Sequence, residues 1–77
     1  MNNIGRVLRV FKETICTLED YLLDPDVYTN EISTLQEKLL ILYNKLRRAN
    51  VEIGDDWLER LRDVGVMTIY SRINVEE

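Results

Sequence analysis

Apolar residues recur along this chain in two ladders that step alternately by four and three positions. The first reads Ile4, Leu8, Phe11, Ile15, Leu18, Leu22, and the second Tyr28, Ile32, Leu35, Leu39, Leu42, Leu46, Ala49, Ile53. The mean step of about 3.5 is the heptad spacing of helices packed along a shared, coiled-coil-like seam, and differs from the period of two that marks a strand. Between the ladders stands Asp24-Pro25-Asp26. Proline has no backbone N–H and clashes inside a helix, so it separates two elements. The pattern predicts an antiparallel hairpin of two long helices. The first starts from a cap at Asn2 or Asn3 and runs to about Leu23. The second starts from Asp24 with Pro25 in its first turn, or, after a longer loop, from Thr29 or Asn30. It frays near Asn50, with Gly54 as the latest stop.

A shorter pattern follows. Trp57, Leu58, Leu61 and Val64 fit a third helix, capped by Asp55 or Asp56 and closed by Gly65. From Val66 the character changes. Met67, Ile69, Ser71, Ile73 and Val75 alternate with Val66, Thr68, Tyr70, Arg72 and Asn74, which favours a strand or extended arm. Met67, Tyr70 and Ile73 also match a helical step, so a fourth helix is the alternative. The expected fold is all-α, with a helical domain over residues 1–65 and a C-terminal arm over 66–77. With no partner strand in the chain, the arm is expected to contact a symmetry mate or a target, the alternative being that it lies over the chain's own helices, with Met67 and Ile69 beside Trp57.

Length and composition narrow the function. Seventy-seven residues allow one domain, and a chain this short is marginal alone, since only about 60% of its unfolded surface is buried on folding. Apolar residues are too abundant and periodic for disorder. No apolar run approaches the roughly 18 residues of a membrane span, and no leader peptide is recognisable. The chain has no histidine, which removes Ser-His and Cys-His nucleophile pairs and all His-containing metal sites. Cys16 is its one cysteine, so no internal disulfide forms and a reducing, cytoplasmic setting is expected. Beside the seam residue Ile15, Cys16 reads as a small, half-buried apolar residue. Gly5, Gly54 and Gly65 are isolated and build no phosphate loop. Neither catalysis nor a cofactor is expected.

Charge is sorted along the hairpin. Residues 1–12 carry Arg6, Arg9 and Lys12 and no acid; residues 13–37 carry Glu13, Glu19, Asp20, Asp24, Asp26, Glu31 and Glu37 and no base; residues 38–48 carry Lys38, Lys45, Arg47 and Arg48 and no acid. Folding gives an acidic loop end and a basic open end. The first helix thereby opposes the macrodipole preference at both termini, which suggests another use for the charges, such as antiparallel association into a symmetric four-helix dimer.

These readings favour a small acidic protein-interaction module, homodimerising and binding a partner protein in a regulatory or inhibitory role. Phage and viral host-interaction factors have this kind of composition. Wide apolar faces place Phe11, Ile15, Leu18, Leu39, Leu40 and Tyr43 at the expected dimer interface. Arg6, Arg9, Arg47, Arg48, Ile41, Trp57, Ile69 and Tyr70 are the expected partner-binding residues. Ile41 lies about 200° around its helix from Leu39, on a polar face, and Trp57 can either cap the hairpin's open end or anchor an interface. A second reading has the basic end bind nucleic acid, although the net charge of −4 opposes it. A third has the acidic end mimic nucleic acid in a partner's groove.

Overall fold

The computed structural model describes residues 3–65, which form three helices: α1 (Ile4–Tyr21), α2 (Thr29–Arg48) and α3 (Asp55–Asp63). Two long helices packed on one another and a short third one are what the ladders predict. α1 packs against both α2 and α3. α1 and α2 are each about 30 Å long at 1.5 Å per residue. Residues 22–28 between them are folded into turns, so they cannot span a helix length, and the hairpin is antiparallel.

The core follows the ladders. Phe11, Ile15 and Leu18 of α1 and Leu39 and Leu46 of α2 are fully buried, with Leu42 and Tyr43 nearly so. Ile53 from the second connector, Leu61 from α3 and Val64 from its C-cap close the remaining side. Toward the loop end the ladders are only half covered, at Leu22, Tyr28, Ile32 and Leu35. Thr14 is buried among these residues, and its hydroxyl donates to the Val10 carbonyl at 2.7 Å, so no polar atom is stranded.

This packing uses up the residues expected at a dimer seam. Phe11, Ile15, Leu18 and Leu39 have no exposed surface within a single chain and Tyr43 is 8% exposed, while Leu40 is half-buried. Leu61 and Val64 supply the third side of the core, a task the sequence reading gave to a second copy. A partner of any kind therefore cannot touch Phe11, Ile15, Leu18 or Leu39 without opening the fold.

The helix ends depart from expectation in instructive ways. Asn3 occupies the first N-cap position without a side-chain capping bond. α1 stops at Tyr21, where the Leu23 and Asp24 amides bond the Asp20 and Tyr21 carbonyls at 3.2 and 3.0 Å. The expected start at Asp24 is corrected: the chain turns once around Pro25, with the Val27 and Tyr28 amides both on the Asp24 carbonyl, and the helix begins only at Thr29. The Thr29 hydroxyl donates back to the Pro25 carbonyl at 3.0 Å and fixes that turn. α2 ends in a Schellman motif. Asn50 is left-handed (φ 59°), its amide bonds the Arg47 carbonyl at 3.0 Å, and the Val51 amide bonds the Leu46 carbonyl at 3.0 Å. Gly54, not an aspartate, caps α3, and Asp55 and Asp56 fill its first turn, where negative charge suits the helix dipole. Gly65 ends the helix as expected, with φ 93° and its backbone against Gln36, whose Nε2 donates to the Val64 carbonyl at 2.8 Å. The expected arm 66–77, with Ile69 and Tyr70, lies outside the described residues.

Candidate interaction surface

The loop end gathers features that the ladders do not explain. Tyr21, at the end of α1, and Tyr28, at the start of α2, stack with ring centroids 4.4 Å apart and planes 14° from parallel. This stack clamps the connector across its base. Above it, Leu23 is 84% exposed and Val27 64% exposed. Neither belongs to a ladder: Leu23 sits one step beyond Leu22, and Val27 lies between Asp26 and Tyr28. Fixed turns hold both, so the side chains are presented by an ordered loop. Asp20, Asp24, Asp26 and Glu31 surround them and are exposed. Beside the loop, Thr17, Tyr21, Asn30, Glu31, Thr34 and Leu35 line a shallow groove between α1 and α2, where the ladders are only half covered. Leu23 and Val27 were not singled out from sequence. Their signal is an apolar residue placed off the ladder within an acidic run.

Trp57 has a structural task. It is half-buried, with the Arg60 guanidinium 4.3 Å and the Lys12 ammonium 5.5 Å from its ring centroid. Arg60 also forms a two-pronged pair with Glu19, donating from Nε to Oε2 at 2.8 Å and from Nη2 to Oε1 at 2.6 Å. These contacts fasten α3 along α1. The Arg60 hydrogen bonds hold the Glu19 carboxyl below the usual carboxylate range, against a small opposing effect of burial. The same bonds raise the Arg60 guanidinium above its ordinary value. Arg60 Nη2 further lies 3.5 Å from Cys16 Sγ. Cys16 is exposed, which corrects its expected half-buried place: it lies one position past Ile15, on the side of α1 that faces Arg60 and solvent.

At the opposite end, Arg6, Arg9, Lys45, Arg47 and Arg48 are exposed, Arg6 and Arg9 near the start of α1 and the other three in the last turn of α2. The Arg47 guanidinium lies 5.8 Å from the Tyr43 ring centroid. Ile41 is 57% exposed on the outward side of α2. The structure thus separates the expected partner-binding residues: Arg6, Arg9, Arg47 and Arg48 at the open end, Ile41 on the outer face of α2, and Trp57, half-buried, in the first turn of α3.

Among the described residues, no group of His, Cys, Asp and Glu side chains is arranged to hold a metal ion, and no buried side-chain nitrogen or oxygen lacks a hydrogen-bond partner. Among the same residues, no helix is long and apolar enough to cross a membrane. Comparison with protein-family models, with curated proteins and with solved structures finds no match.

Proposed function

We propose that this chain is a small helical protein-interaction module that binds a partner protein through its loop end in a regulatory or inhibitory role. The observation that carries this reading is the pair Leu23 and Val27, held open to solvent on one ordered loop, while the seam residues Phe11, Ile15, Leu18, Leu39 and Leu46 fill the core. Such exposed apolar anchors with a polar rim are the usual composition of a protein interface. The acidic rim selects a partner face that is basic around an apolar recess. An exposed, unpaired Cys16 suits a reducing compartment, so the reading is of a cytoplasmic protein.

The test is affinity capture from native lysate with the wild-type chain and with a Leu23→Ser/Val27→Ser variant, read by mass spectrometry. A protein retained by the wild type and lost by the variant is the expected result. Equal retention by the two would remove the loop end from the reading.

The second reading uses the open end, where Arg6, Arg9 and Arg48 are exposed, as a site for nucleic-acid phosphates. Retention on DNA or RNA at low salt, falling steeply as salt rises and abolished by Arg6→Glu/Arg9→Glu, is what that reading requires.

A further inference from the structure

The outer face of α2 carries a charge pattern that is complementary to itself. At about 100° per residue, Asn30, Thr34, Glu37, Ile41, Lys45 and Arg48 fall within about 40° of one another's common line, one stripe running the length of the helix. All six are exposed, and Ile41, at 57%, is the one apolar residue among them. The buried residues Leu39, Leu42, Tyr43 and Leu46 occupy the opposite side. Reversing this stripe about Ile41 sets Glu37 against Lys45, and Thr34 against Arg48. Glu37 and Lys45 stand eight positions apart in one helix, about 12 Å, too far to pair within the chain. Neither is in an ion pair among the described residues.

We infer that a second copy of this chain docks on this face, with its α2 antiparallel to the first and a two-fold axis passing beside Ile41. In that arrangement Ile41 packs on the Ile41 side chain of the other copy. Two symmetry-related Glu37–Lys45 pairs flank it, and the Arg48 guanidinium reaches the Thr34 hydroxyl of the other copy. An antiparallel pair also sets each helix's N-terminal half beside the other's C-terminal half, so the acidic and basic ends compensate across the pair. The contact closes on itself, as a two-fold interface must. One helix face with one apolar residue per chain is small against the roughly 1,200 Å² at which stable interfaces begin, so the dimer forms at high concentration and exchanges quickly. The face borders the loop-end groove at Asn30 and Thr34 but includes neither Leu23 nor Val27, so loss of partner capture in the Leu23→Ser/Val27→Ser variant and loss of the dimer in the Glu37→Lys variant are separate outcomes.

The experiment combines a cross-link with a charge swap, on the whole chain with Cys16→Ser to silence the native thiol. Oxidation of Ile41→Cys in that background should give a disulfide-linked dimer, whereas Ser33→Cys, exposed on a different face of α2, should stay monomeric. In sedimentation without cross-linking, Glu37→Lys or Lys45→Glu alone should weaken dimerisation on the order of tenfold by setting like charges opposite one another. The double variant Glu37→Lys/Lys45→Glu should restore it, because the reversed pairs are complementary again. Circular dichroism checks that each variant keeps its helices. A monomer at millimolar concentration overturns the inference. So does a dimer indifferent to Glu37→Lys, a double variant that fails to recover, or equal cross-linking from Ser33→Cys.

Discussion

Arg60 ties α3 to α1, since it holds Glu19 by two hydrogen bonds and covers the Trp57 ring. The Glu19 carboxyl is held below its usual range by that contact. A depressed carboxylate contributes stability that is present above the unfolded value, about 4.3, and is lost as pH falls through the folded value. Wild type should therefore melt above Glu19→Gln at pH 7, and the difference between the two should shrink as pH falls below the ordinary glutamate range. Both partners are about one-third exposed, at 39% and 34%, so screening keeps the difference to no more than about a few degrees. Gly65→Ala should lower stability by about 1–2 kcal/mol in a urea titration, because φ there is left-handed and a Cβ would meet Gln36 Nε2 at 2.9 Å. Gly65 was legible as a stop from its position after Val64. The Glu19–Arg60 pair was not, because 41 residues separate its members and nothing in a periodic pattern reports which polar faces meet.

At the scale of elements, periodicity carried the reading and capping chemistry misled it in places. The ladders located α1, α2 and the buried side of each, since a 4-3 step leaves one stripe to bury whatever the ends do. Asp24-Pro25 resembled a helix start, yet Pro25 is spent in a turn that Thr29 holds from the far side. Asn50 showed only as a fraying point, although asparagine tolerates the left-handed conformation that a Schellman motif requires. Asn50→Gly should leave stability nearly unchanged, and Asn50→Ala should cost about 1 kcal/mol, measured by thermal melts. The seam itself is far less forgiving. Leu39→Ala should cost about 2–5 kcal/mol, a large part of the total for a chain of this size. Leu23→Ser, at 84% exposure, should shift a urea midpoint by no more than about 0.5 kcal/mol equivalent.

For the whole molecule, the sequence misjudged how much of its apolar surface one chain could cover. Two helices with wide faces argue for a second copy only if the third helix is ignored, and Leu61 and Val64, with Ile53, complete the core within one chain. What remains outside among the described residues is a small set of large apolar side chains, Leu23, Val27 and Ile41, and interaction is proposed at those places. The fully buried core cannot serve a partner, so a surface variant such as Ile41→Ser should change association while leaving the urea midpoint of dilute protein nearly unchanged. The position of α1, in contact with both other helices, has a consequence for the order of events during synthesis. α1 is made before its partners, and Leu61, the last fully buried residue among the described ones, is added forty positions after Tyr21. At about 5–20 residues per second, the apolar stripe of α1 waits roughly two to eight seconds for its full complement of neighbours. A free chain truncated after Ile53 should therefore hold a closed but lidless hairpin, open on the side of α1 that α3 later covers, and it should bind hydrophobic-site chaperones that ignore the finished protein.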